Sequence, residues 1–318
     1  MIEGIPKISV LIICYKQEEL ITRAINSLLA QRDYIYEICV SDDCSPDKTW
    51  DVLQEYDRQY PGLFKLHRNE PNVGIFENIE HTWTMPSGDM IYHLSGDDEC
   101  GEGWLKQVVE FVQKNNIDYK NELFCIYGDY KQVYSSGDVL VKSNKAILRN
   151  PDNALRLALR QMINNRSACY SINILRKFEK VSQGRSHIAE NIQDRQLQMY
   201  SEKSYYIPHV GNLYFSKIGI SVHLTEEMKK ERMQIWPYTL KVLEEKGITL
   251  NKKDQYFIKY RQEFQKVIHW KSKISILKAF YYNILGIDCS LKGSSETLRY
   301  YAFALLRRLP HKHVIYFK

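Results

Sequence analysis

Two periodicities alternate across residues 8–127, and this alternation constrains the fold more than any single motif. Ile8–Cys14 (ISVLIIC) is a short β-branched run with no polar alternation, as expected of a strand buried on both faces. Leu20, Ile21, Ala24, Ile25, Leu28 and Leu29 then recur at helical spacing. The sequel repeats. Tyr36–Ser41 (YEICVS) reads as a strand, with Pro46 placed to open a helix through Trp50, Leu53 and Tyr56. Phe64–His67 precedes a helix with Ile75, Ile79 and Trp83. Met90–Leu94 precedes one with Trp104, Val108, Phe111 and Val112, and Leu123–Tyr127 is a fifth strand. Parallel strands need crossovers of this kind, so the pattern predicts an α/β fold with a mainly parallel sheet and flanking helices. In such sheets ligands bind beyond the carboxyl ends of the strands, so the residues after each strand carry the function.

Beyond Asp129 the pattern changes. YKQVYSSGDVLVK predicts a hairpin turning at Ser136-Gly137, helical stretches follow Asp152 and Ile172, and SYYIPHVGNLYFS returns to strand. From about Thr225 the chain reads as helical, with Tyr256, Phe257, Tyr260, Phe264, Val267 and Ile268 on one face and Asn251 as a cap. A chain of 318 residues with 44% hydrophobic content has room for about two domains. The net charge of +6 suits anionic partners without choosing among them.

The seven cysteines show no CxxC spacing and no Cys/His clustering, which argues against zinc and against a disulfide frame. Buried, reduced thiols in the cytoplasm are the expectation. The opening MIEGIPKISVLIICYK lacks the basic leader of a signal peptide. No run reaches the ~18 apolar residues of a spanning helix, so membrane contact is expected to be peripheral. The basic pairs are too short to argue for nucleic-acid binding.

Three strand ends are rich in chemistry: Tyr15 after the first, Asp42 and Asp43 after the second, Asp97 and Asp98 after the fourth. Adjacent carboxylates repel, and a hard divalent cation such as Mg²⁺ or Mn²⁺ removes that penalty while sharing its shell with substrate phosphates. The competing reading of Asp97-Asp98 is a helix cap before Gly103. Asp43 is placed to accept hydrogen bonds from a base or ribose, and Tyr15 to stack on a base. Against these stand a turn at Asp42 that bonds its own backbone, and plain packing of Tyr15.

Together these stretches resemble glycosyltransferase family 2, with its GT-A (Rossmann-like) nucleotide-sugar fold. ISVLIICYK, YEICVSDDCSPDKTWDVL, NEPNVGIFENI and SGDMIYHLSGDDE match its motifs in order. The resemblance implies a catalytic domain over residues 1–225, with a nucleotide-binding half over about 6–130 and an acceptor half over about 131–225. A helical C-terminal region over 226–318 follows. It implies a hexosyltransferase-type, inverting and metal-dependent (Mn²⁺ or Mg²⁺) enzyme acting on a nucleoside-diphosphate sugar and a glycan or lipid-linked acceptor, in surface polysaccharide assembly. Carried over residue by residue, Tyr15, Asp42, Asp43 and Asp97 fall at nucleotide-sugar positions, and Asp98 at the metal position. Lys16 replaces the family's Asn, Ser95 its first acid, and Glu77 a common basic residue.

The family's base lies downstream, and the matching stretch HIAENIQDRQLQMY offers Asp194, with Glu190 as the alternative. His187 and His209 nearby are read as structural. The basic, aromatic tail ETLRYYAFALLRRLPHKHVIYFK, with Tyr301, Leu305 and Leu309 flanked by Arg299, Arg307 and Arg308, suits an anionic membrane at the cytoplasmic face. Packing on the rest of the protein is the other reading. Two further functions stay open at this point: a metal-dependent nucleotidyltransferase, disfavoured by the glycine-free CYKQEEL, and a nucleotide-sugar-binding or scaffold module without turnover.

Overall fold

The computed structural model describes residues 5–160, 162–182, 188–216, 226–270 and 272–286. The chain divides into two compact units, Met1–Met228 and Lys229–Lys318.

The first unit opens with the expected alternation: β1 (Ile8–Cys14), α1 (Ile21–Leu29), β2 (Glu37–Asp42), α2 (Thr49–Gln59), β3 (Phe64–Arg68), α3 (Ile75–Thr82) and β4 (Met90–Ser95). A two-residue strand, β5 (Glu99–Cys100), then precedes α4 (Trp104–Lys114), β6 (Phe124–Val133) and β7 (Val139–Lys142). After α5 (Ala154–Leu159) come β8 (Cys169–Ser171), α6 (Ile172–Leu175), α7 (Ile188–Tyr200) and β9 (Lys203–Phe215). The strand order is β3-β2-β1-β4-β8-β6-β9-β5, with β7 paired to β6. The β3-β2-β1-β4 block is parallel, and β8 enters antiparallel between β4 and β6. The sheet is therefore mixed: the antiparallel β6–β7 pair is the hairpin expected at Ser136-Gly137, whereas the three residues of β8 are too few to show any periodicity.

Alternate residues of β1 explain why both faces of the sheet are covered. Val10 and Ile12 join Ile25, Leu28, Leu53, Leu105 and Val108 on one side. Leu11 turns to the other, with Cys39, Ile91, Leu157, Ile174 and Leu197. Continuous apolar strands are what such double coverage requires.

Two local expectations are corrected. α2 starts at Thr49, not beside Pro46, because Asp47 accepts from the Thr49 N–H (3.1 Å) and hydroxyl (2.6 Å) and delays the helix. SYYIPHVGNLYFS lies within a single strand up to Phe215, bent by register shifts near Asp129 of its partner.

The second unit holds most of α8 (Glu226–Glu245), then α9 (Lys252–Trp270) and α10 (Lys273–Gly286). Tyr260, Val267 and Ala279 form the buried centre between α9 and α10, with Phe257, Phe264 and Tyr282 packed on it. Asn251 caps α9 through the Asp254 N–H at 2.9 Å. Among the described residues no helix is long and apolar enough to cross a membrane. The described cysteines are unbridged, five of them buried. The tail residues Tyr301, Leu305 and Leu309 lie outside the described residues.

Candidate active site

A cleft of about 890 Å³ opens at the carboxyl ends of β1, β2 and β4. Tyr15, Asp43, Asp97, Asp98 and Asp194 all line it. Asp42 and Glu77 do not.

Asp42 is fully buried, and its carboxylate turns back into its own loop. It accepts from the Ser45 N–H at 3.0 Å and from the Ser45 hydroxyl, and it lies 3.4 Å from Arg68 Nε. This is the turn geometry weighed above, an Asx-type bond that folds CSPD under the strand end.

Asp43 works as a clamp on the following loop. Its Oδ1 accepts from Asn69 Nδ2 (3.0 Å) and the Val73 N–H (2.8 Å), its Oδ2 from the Gly74 N–H (2.9 Å). Asn72 Nδ2 donates to the Asp43 carbonyl at 2.7 Å. A carboxylate offers about four acceptor sites, so Asp43 keeps about one for a ligand. Gly74 is needed where the loop enters α3, since its φ of 88° is left-handed. Thus the NEPNVG stretch is a loop pinned to β2 at the rim of the cleft.

Tyr15 is half-buried, with Lys16 Nζ 5.1 Å from its ring centre. Lys16 and Cys44, at the ends of neighbouring strands, adopt left-handed φ values of 55° and 57°. Such strain collects at functional sites. It also explains the Asn that the family resemblance places at position 16, since Asn tolerates this conformation better than Lys.

Asp98 is 2% exposed. Its Oδ1 accepts from the Phe215 N–H at 3.1 Å, and Arg166 Nη1 stands 3.5 Å from its Oδ2. Burial, together with neighbouring Asp97, pushes its carboxyl up to about 7, although Arg166 and bonds from Phe215 and Asn212 pull the other way. Burial likewise raises Asp97, against Arg166 and Arg23. Arg23 holds this loop from behind: Nη2 donates to the Asp97 carbonyl (2.5 Å) and Nε pairs with Glu99 (3.1 Å).

The donor set here can be compared with what a cation needs. Two adjacent carboxylates reach the cleft, and Asn212 Oδ1 is buried without a hydrogen-bond partner. Among the described residues no three Asp, Glu, His or Cys side chains gather into a metal cage. The set fits Mg²⁺ or Mn²⁺ of the kind held by one or two carboxylates and completed by water and substrate phosphates. It does not fit an all-protein site.

Asp194 lines the cleft from α7. Solvent reaches it through the cleft, while the surrounding protein raises its carboxyl despite Arg195 and Arg166. Asn165 Nδ2 fixes its backbone carbonyl at 2.6 Å. Glu190 lies one turn earlier on α7, and its side chain, like His187, falls outside the described residues. His209 bonds the Glu102 carbonyl (2.6 Å) and stacks on Trp104, a structural role. Part of the cleft lining is apolar, with Ile79, Trp83, Tyr170, Phe178 and Leu197 among its residues. His93 hydrogen-bonds Tyr170 there at 2.7 Å, and burial lowers it to about 4, so it is neutral at physiological pH.

Sequence reasoning missed Arg166, Asn212, Tyr214 and Phe215, all of which line the cleft. Their signal is weak because they come from β9 and the loop before β8, far from the acidic motif in sequence.

The family model for Glycosyl transferase family 2 matches residues 9–124, the stretch that builds the β1–β4 end of the cleft. Residues 9–124 belong to Glycosyl transferase family 2. Putative glycosyltransferase EpsE of Bacillus subtilis is 30% identical over 110 residues, 35% of this chain and 40% of that protein. The chain therefore spans about two fifths of that relative's length. Among solved structures, S. aureus TarS 1–349 in complex with UDP-GlcNAc superposes with a TM-score of 0.57 at 15% identity, covering 94% of this chain and 81% of TarS 1–349. The mannosyltransferase PcManGT from Pyrobaculum calidifontis, in complex with GDP-Man and Mn²⁺, gives 0.54 at 13%, covering 96% and 88%. At these identities the structural likeness shows a shared fold, that of the GT-A enzymes. The family 2 segment contributes Tyr15, Asp43, Asp97 and Asp98, while Asp194 and Arg166 come from beyond it.

Proposed function

We propose that this chain is an inverting glycosyltransferase. It moves a sugar from a nucleoside-diphosphate donor to a hydroxyl of a glycan or lipid-linked acceptor, at the cytoplasmic face of a membrane, during surface polysaccharide assembly. The observation that carries the reading is the convergence of Tyr15, Asp43, Asp97, Asp98 and Asp194 on one cleft. The nucleotide-sugar complexes of the two structural relatives support the donor class.

In this reading Tyr15 stacks on the base, and Asp43 uses its remaining acceptor site on the base or ribose. Asp98, with Asp97 beside it, would hold a divalent ion; when bound, that ion neutralises charge on the leaving diphosphate. Asp97 faces the sugar or diphosphate. Asp194 takes the acceptor proton. Solvent access through the cleft lets the acceptor hydroxyl reach Asp194, and the surrounding protein holds its carboxyl above the ordinary carboxylate range, which favours proton uptake.

The test is a panel of nucleotide sugars with Mn²⁺, scored by nucleoside diphosphate release, for wild type and Asp98→Ala. The expected result is release from one donor class, lost in the variant. Equal release by both proteins would sink the assignment of Asp98. Donor binding without release across a broad acceptor panel would point to a binding module instead.

A further inference from the structure

Arg166 has no role in the donor reading above, yet it sits at the electrostatic centre of the cleft. Its charge acts on Asp97, Asp98 and Asp194 alike. Its backbone is firmly placed. The Arg166 N–H donates to Asn164 Oδ1 (2.7 Å), and Asn164 is bonded both ways to Asn144 (2.8 and 2.9 Å), which also holds the Gly128 carbonyl. Its guanidinium carbon lies over the Tyr214 ring, 3.5 Å from the ring centre.

Its hold on Asp98 is poor by comparison. Nη1 stands 3.5 Å from Oδ2, where a charge-assisted bond measures about 2.7–2.9 Å. Among the described residues the guanidinium makes no other hydrogen bond, although the side chain is only 33% exposed. A planar fork with most of its donors uncommitted, in a cleft, is suited to phosphate oxygens. Of the other cations nearby, Arg23 is spent on Glu99 and the Asp97 carbonyl and does not line the cleft, while Lys16, which does line it, lies over the Tyr15 ring at the end of β1.

We propose that Arg166 binds the donor diphosphate, leaving Asp98 for the phosphate oxygens when the donor enters. The inference rests on the donor reading. Arg166 and a divalent ion compete for the same carboxylate, and like charges repel. A diphosphate resolves that competition by giving the guanidinium an anion of its own, with the Tyr214 face as the surface on which it turns. The protein's own cation thereby supplements a metal site in which Ser95 stands where the family resemblance places an acid.

Calorimetric titration of the full chain with UDP, GDP, UMP and GMP, in EDTA and in Mn²⁺, tests this with wild type, Arg166→Ala and Arg166→Lys. Thermal melts check folding. Losing a charge-assisted contact should weaken diphosphate binding about 10–100-fold in Arg166→Ala. The loss should be larger in EDTA than in Mn²⁺, with monophosphate binding nearly unchanged and partial recovery in Arg166→Lys. Unchanged diphosphate affinity in Arg166→Ala overturns the proposal. So does an equal loss for mono- and diphosphates, which would mean that Arg166 only shapes the cleft. If wild type binds no nucleotide and no nucleotide sugar, the donor reading itself fails and the inference falls with it.

Discussion

Replacing Asp98 with Asn should stabilise the metal-free protein at alkaline pH. The carboxyl is 2% exposed, and burial raises it from 3.8 to about 7. A raised acid binds its proton more tightly in the folded state than in the unfolded one. Between those two values the folded state therefore holds more protons, and stability falls as pH rises. The loss begins above the unfolded value near 3.8 and is complete above about 7. At about 1.4 kcal/mol per pH unit, this interval bounds the effect near 4 kcal/mol. Asn keeps the oxygen that accepts from Phe215 and carries no charge to desolvate, so it should escape most of this penalty. Urea unfolding of both proteins in EDTA, at pH 5, 6, 7 and 8, followed by intrinsic fluorescence, measures it. Asp98→Asn should gain on wild type steadily from pH 5 to 7 and level off by pH 8. Parallel curves, or a variant less stable than wild type at pH 8, would refute the argument that the uncompensated carboxylate is a cost carried for function.

Asp194→Asn should lower turnover about 10²–10⁴-fold while donor affinity holds, and Glu190→Gln should not; stopped assays and donor titration separate the two. Gly101→Ala should cost about 3 kcal/mol or more, because a Cβ there would meet the Val210 carbonyl at 1.8 Å, a backbone atom that cannot step aside; chemical denaturation reads the loss.

The first four strands and the acids at their ends were legible because buried parallel strands are continuous apolar runs, and the carboxylates interrupt them abruptly. The roles within the pair Asp42-Asp43 were not. Which of two adjacent side chains turns into its own loop depends on Ser45 and Arg68, not on the pair itself. β8 was hidden by its length, and its entry between β4 and β6 is a long-range choice. Arg166 looked like an ordinary loop charge, since only the return of β9 brings Tyr214 beneath it and Phe215 onto Asp98. Local pattern finds groups that a strand delivers to an edge. It does not find those that tertiary pairing delivers from elsewhere.

The bond from Phe215 to Asp98 joins residues 117 apart in the chain. Contacts of such separation are costly in loop entropy and form late. A growing chain that has emerged only as far as β6 holds the β1–β4 acids but has neither the β9 amide for Asp98 nor the tyrosine for Arg166. The nascent protein is thereby expected to lack an assembled cleft until β9 pairs with β6, so the arrival of that strand, and not of the motif-bearing ones, sets when the site is complete.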